Sequence, residues 1–128
     1  MGIANVLLVD DEVSFVKTFS ERLELRDFEI SKAFSGEEAL QVLDENKNIE
    51  IVILDVKMPG IDGLELMAEL KRINPELPVI LFTGHSSVAD AERGIQEGAC
   101  EYVMKPIDID VLIKKIRSAA ARREGRPS

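Results

Sequence analysis

Three runs of four apolar residues punctuate the chain: Val6-Leu7-Leu8-Val9, Ile51-Val52-Ile53-Leu54 and Val79-Ile80-Leu81-Phe82. They are dominated by β-branched residues and leucine, and each stops at a polar side chain. Continuous apolar runs of this length predict strands covered on both faces. Two weaker segments complete the set. Phe28-Glu29-Ile30-Ser31 alternates apolar and polar, as an edge strand does. Glu101-Tyr102-Val103-Met104 is short and lies just before Pro106, which also suits an edge.

Helical periodicity fills the intervals. Phe15, Phe19 and Leu23 recur every four residues and predict an apolar stripe on a helix after the first strand. Ser35 with Glu38 three positions later predicts a capping box at the start of the second helix. The third helix is expected over Leu64 to Ile73, stopping before Pro75. Val88, Ala91 and Ile95 mark the fourth, with Gly98 placed to end it. Leu112, Ile113, Ile116 and Ala120 mark the fifth. Residues 3–122 thus read as one domain, and 123–128 as a polar tail or the start of a linker.

Five β-α units in strict alternation predict an α/β fold: a doubly wound, five-stranded parallel sheet with five helices on its two faces. The chain's 128 residues suit a single core of this kind. Its formal net charge of -8 argues against direct nucleic-acid binding, which needs a basic face. One Cys and one His leave too few soft ligands for zinc. No apolar run approaches membrane-spanning length and no leader pattern opens the chain, so a cytoplasmic location without membrane contact is expected.

In open parallel sheets, ligands bind beyond the carboxyl ends of the strands. The residues there are Asp10, Asp11, Asp55, Thr83 and, after the fifth strand, Lys105. If the first and third strands are neighbours, three carboxylates share one crevice. Two like charges about 5 Å apart repel by roughly 3 kcal/mol at an effective dielectric near ~20. Lys105 offsets part of this, and a hard divalent cation such as Mg²⁺ (or Mn²⁺) would offset the rest. A phosphoryl group could complete such a site, with one carboxylate as nucleophile.

Four segments at these strand ends resemble the response-regulator receiver domains of two-component signalling (CheY-like). They are Leu8-Val9-Asp10-Asp11-Glu12, Leu54-Asp55-Val56-Lys57-Met58-Pro59-Gly60-Ile61-Asp62-Gly63, Phe82-Thr83-Gly84 and Tyr102-Val103-Met104-Lys105-Pro106. Each alone is weak; all four in order are specific. The resemblance implies a flavodoxin-like sheet of order 2-1-3-4-5. It implies that Asp55 accepts a phosphoryl group from a histidine kinase in a Mg²⁺-dependent reaction. Asp11 would ligate the metal directly, Asp10 often through water, and the Lys57 carbonyl would be a third protein ligand. Thr83 matches a switch hydroxyl, Lys105 a phosphoryl-contacting lysine, Tyr102 an aromatic switch and Pro106 a proline whose preceding bond is usually cis. Such a domain is a phosphoacceptor that catalyses only its own phosphorylation and dephosphorylation. It would signal to an output domain, or to a second copy, through the face of the fourth helix, fifth strand and fifth helix.

Plainer readings stand beside these. Asp10-Asp11 is also a natural helix N-cap, and Asp62 another. Met58-Pro59-Gly60 reads as a tight turn. Tyr102 also suits an ordinary edge-strand aromatic, Cys100 a small buried hydrophobe, and His85 a loop residue near the site. A phosphatase of the haloacid dehalogenase type would need two aspartates two apart after a strand and a cap domain; here the pair is adjacent and the chain short. A pseudo-receiver would lack an acidic or lysine position, and none is missing. A nucleotide site would need a Gly-rich phosphate loop, which is absent.

Overall fold

The computed structural model describes residues 5–56, 63–84, 88–99 and 101–123. Ten elements alternate without exception: β1 (Asn5–Val9), α1 (Val13–Glu24), β2 (Glu29–Ala33), α2 (Gly36–Glu45), β3 (Ile51–Asp55), α3 (Gly63–Ile73), β4 (Val79–Thr83), α4 (Val88–Gln96), β5 (Glu101–Met104) and α5 (Ile109–Arg123). The strands form one parallel sheet of order β2-β1-β3-β4-β5, the flavodoxin-like arrangement.

Successive strand residues point to opposite faces, so the central strands feed two cores at once. Leu7, Val9, Val52, Leu54, Val79 and Leu81 pack with Ala39 of α2 and with Leu66, Met67 and Leu70 of α3. Val6, Leu8, Ile51, Ile53, Ile80 and Phe82 pack on the other side with Val16, Phe19 and Leu23 of α1 and Leu112, Ile113 and Ile116 of α5. This double burial is why these strands carry no polar alternation.

Several expected boundaries move for local reasons. β2 starts at Glu29 rather than Phe28 and runs to Ala33, in register with the whole of β1. Phe28 is withheld because its N–H donates to the Leu23 carbonyl at 3.3 Å, closing the end of α1. Asp27 sits there at φ 70, the left-handed position usually given to glycine. In α2 the Glu38 N–H donates to Ser35 Oγ at 3.1 Å, as expected. Its return partner is the Phe34 N–H at 2.9 Å, one residue before the cap. Gly98, at φ 125, ends α4, where the Ala99 N–H reaches the Gly94 carbonyl at 2.9 Å.

In α4 one residue of the expected stripe departs from expectation. Ile95 is 36% exposed. Gly94 faces the sheet instead: a Cβ there would lie 2.4 Å from Leu81 Cδ1, so a larger residue would require the Leu81 side chain to shift. In α5, Ala119 rather than Ala120 takes the fully buried position. Among the described residues no helix is long and apolar enough to cross a membrane.

Candidate functional site

Sheet register builds the site. Val9 pairs with Leu54, so the next residues, Asp10 and Asp55, stand level on neighbouring strands. Asp55 in turn pairs with Phe82, and Thr83 with Met104, which brings Lys105 to the same rim. Asp10, Asp11 and Asp55 each offer a carboxylate oxygen within 4.8 Å of the others. Asp10 is fully buried, Asp55 has 13% of its side chain exposed, and Asp11 is exposed.

The Lys105 ammonium balances this group. It donates to Asp10 Oδ2 at 2.8 Å and lies 3.7 Å from Asp55 Oδ2 and 3.8 Å from Glu12 Oε1. Burial pulls the Lys105 pKa down. The hydrogen bond to Asp10 and the fields of Asp10, Asp55 and Glu12 outweigh it and hold the pKa above the ordinary lysine value. The remaining Asp10 oxygen, Oδ1, accepts the Glu12 N–H at 3.0 Å. Both Asp10 oxygens are therefore engaged by the protein. Glu12, not Asp11, is the N-cap residue of α1, and its side chain makes no capping bond.

Thr83 is fully buried, and its hydroxyl donates to the Gly84 carbonyl at 3.0 Å. Its own carbonyl accepts the Lys105 N–H at 2.9 Å, which ties the lysine to the end of β4. Tyr102 pairs with Leu81 and packs, partly buried, against the α2–α3 side of the core. Thr83 lies two positions after Leu81, so Thr83 and Tyr102 share that face. The Lys105–Pro106 peptide is cis. Lys57, the expected turn at Met58-Pro59-Gly60, Asp62, His85 and Cys100 lie outside the described residues.

A family profile for the response regulator receiver domain matches residues 6–117. The chain belongs to that family. Among curated relatives, the receiver is 38% identical over 116 residues to the transcriptional regulatory protein GlrR of Escherichia coli (strain K12), covering 91% of this chain and 26% of the relative. It is 39% identical over 119 residues to the C4-dicarboxylate transport transcriptional regulatory protein DctD of Rhizobium meliloti, covering 93% and 26%. It thus spans about a quarter of the length of these regulators. A crystal structure of a response regulator receiver domain protein from Clostridium thermocellum superposes with a TM-score of 0.92 at 35% identity, over 95% of this chain and 98% of the other. NtrX from Brucella abortus superposes with a TM-score of 0.91 at 32% identity, over 96% of this chain and 28% of the other. The receiver therefore belongs to two-component signalling, among relatives that include transcriptional regulators.

Three residues around the receiver's site carried no assigned role in the sequence. Glu12 adds a third carboxylate beside Lys105. Phe15, read only as part of an apolar stripe, lies with its ring centroid 4.8 Å from Lys105 Nζ. Gly63 opens α3 directly against the backbone that carries Asp55. Its N–H donates to the Val56 carbonyl at 2.9 Å, and a Cβ there would lie 2.4 Å from the Asp55 carbonyl oxygen. The glycine was visible in the motif; the closeness of approach was not.

Proposed function

We propose that residues 3–122 form a phosphoacceptor switch in which Asp55 takes a phosphoryl group from the phosphohistidine of a sensor histidine kinase. One observation carries the reading: the Lys105 ammonium sits between a fully buried carboxylate, Asp10, and a slightly exposed one, Asp55. A buried carboxylate is retained only when paired. The slightly exposed partner is the one an incoming phosphorus atom can reach.

In the transfer, an Asp55 carboxylate oxygen attacks phosphorus in line with the P–N bond. The new P–O bond makes an acyl phosphate. The P–N pair stays on the departing imidazole, which leaves neutral once protonated. Lys105 remains protonated throughout and turns from Asp10 towards the phosphoryl oxygens. Such chemistry depends chiefly on positioning and charge neutralisation. The donor set is all hard oxygen, which fits Mg²⁺ or Mn²⁺. With Asp10 engaged on both oxygens, Asp11 and Asp55 are the side chains to hold the ion directly, Asp10 acting through water and the Lys57 carbonyl as a third ligand. When bound, the cation would supply further positive charge to the transferring group.

The new charge biases a bistable element. Thr83 would release the Gly84 carbonyl and donate to a phosphoryl oxygen, and Tyr102 would turn inward on the same face. The readout surface is that of α4, β5 and α5, where Ile95 and Val111 are exposed. An output domain or a second copy would dock there. We assign no direct nucleic-acid binding to this acidic unit and no turnover beyond its own phosphorylation and dephosphorylation. The reading places it in the cytoplasm, with residues 123–128 as tail or linker.

Labelling with a small radiolabelled acyl phosphate and Mg²⁺ tests the reading. Asp55→Asn should remove the label. Stoichiometric acid-stable label on that variant, or label mapped to His85, would refute it.

A further inference from the structure

We propose that Phe15 is a positioning residue for Lys105, its ring face serving as the platform on which the ammonium pivots between Asp10 and Asp55. The inference rests on the phosphoacceptor reading above and adds a residue to it.

Among the described residues, the Lys105 ammonium has two kinds of neighbour. Three are carboxylates: Asp10 at 2.8 Å, Asp55 at 3.7 Å and Glu12 at 3.8 Å. The fourth is the Phe15 ring, 4.8 Å away at its centroid. That is within cation–π range, and only 24% of the lysine side chain is exposed, so solvent weakens the attraction little. A carboxylate holds an ammonium at one point, through a directional bond. A ring face attracts it over an area without fixing its direction. Such a surface holds the cation in the site while leaving it free to exchange one carboxylate for another.

The ring is itself braced. Phe15 stacks on Phe19 at 5.3 Å between centroids, and meets Phe82 edge-on at 5.8 Å. Phe19 also meets Phe82 edge-on, at 6.2 Å. Phe82 is fully buried, pairs with Asp55 in the sheet and immediately precedes Thr83. The platform is thus fixed to the same strand that positions the acceptor and the switch hydroxyl. An aliphatic residue at position 15 would still pack against Phe19 and Phe82 but would give the ammonium no electrostatic seat. Lys105 could then move out towards Glu12, which is 66% exposed, and solvent.

The test separates ring electrostatics from packing. Phenylalanines bearing one, two or three ring fluorines are placed at position 15 by site-specific incorporation. Size changes little along the series while the ring face becomes steadily less negative. Two quantities are read: the rate of phosphoryl transfer from a small acyl phosphate, and the side-chain Nζ resonance of Lys105 before any donor is added. The expected result is a graded loss of rate, reaching about five- to tenfold at three fluorines, with the Lys105 resonance moving in step. Phe15→Tyr should keep the parent's rate and Phe15→Leu should fall with the trifluoro protein. Rates flat within about twofold together with an unmoved resonance would overturn the proposal. If the parent takes no label at all, the phosphoacceptor reading fails, and the resonance series alone still decides whether the ring seats the ammonium.

Discussion

Lys105 holds Asp10 at 2.8 Å while Asp55 waits at 3.7 Å, so the lysine is committed to the carboxylate that has no access to solvent. Losing that partner should be costly. Lys105→Met leaves Asp10 buried without its cation and should destabilise the fold by about 1–3 kcal/mol, less than for a fully buried pair because the lysine keeps some solvent. Adding Asp10→Asn should recover most of the loss. Urea denaturation of the two single variants and the double checks this; additive losses would show that the pair is not coupled.

Asp11 is exposed and Asp10 is engaged on both oxygens, so Asp11 should govern cation binding. Asp11→Ala is expected to remove the Mg²⁺ dependence of labelling by lowering transfer at least ~10-fold at saturating Mg²⁺. Its unfolding midpoint should stay near that of the parent, since surface changes cost about 0.5 kcal/mol or less. Labelling of the parent that persists in excess chelator would contradict the metal assignment.

Gly63 bears directly on the backbone that carries Asp55. A methyl group there would meet the Asp55 carbonyl at 2.4 Å and the Val56 Cα at 2.6 Å, both backbone atoms that cannot turn aside. Gly63→Ala should therefore push α3 off the end of β3, costing about 3 kcal/mol or more. Labelling of Asp55 should fall in the fraction that remains folded. A melting temperature within a few degrees of the parent's, about 4 °C per kcal/mol at this size, would disprove the close approach.

Asp27, at φ 70, makes the opposite prediction. Glycine reaches this conformation without the Cβ penalty, and the capping bonds of α1 are made by backbone groups that it retains. Asp27→Gly should stabilise the domain by about 0.5–1 kcal/mol in urea denaturation. A loss of stability would mean that the aspartate side chain is needed to close the helix.

These cases show what the sequence could and could not express. The central strands were legible because burial on both faces leaves no polar position in Val6–Val9, Ile51–Leu54 or Val79–Phe82. Their polar endpoints gave the acidic cluster, since register in a parallel sheet makes strand ends level. The end of α1 was not legible, because an aspartate in the left-handed region carries no compositional signal. Ile95 misled for a related reason. Periodicity marks which face of α4 is apolar, but how deeply that face is buried depends on Gly94, whose missing side chain no hydrophobic pattern records. Phe15 looked like core and packs, partly buried, against it; the second role proposed for it depends on a lysine ninety positions away in sequence.

The last prediction concerns the switch. The Thr83 hydroxyl is spent on the Gly84 carbonyl, so a phosphoryl group on Asp55 must compete for it. That exchange should be close to neutral, because one hydrogen bond replaces another, and the charge on the acceptor oxygen tips it. Tyr102 shares the face of Thr83 and is only partly buried, so an inward turn adds apolar burial that the movement of Thr83 makes room for. The chain has no tryptophan and a single tyrosine, so its ultraviolet tyrosine emission reports on Tyr102 alone. Adding fluoroberyllate and Mg²⁺, in place of a phosphoryl group, should change that emission in the parent. In Thr83→Ala the complex should still form, but the emission change should shrink about fivefold or more, the low end of a typical coupling free energy of roughly 1–3 kcal/mol. Thr83→Ser keeps the hydroxyl and should respond like the parent. If Thr83→Ala retains the full emission change on saturation, Tyr102 follows the acceptor by some route that does not pass through the hydroxyl.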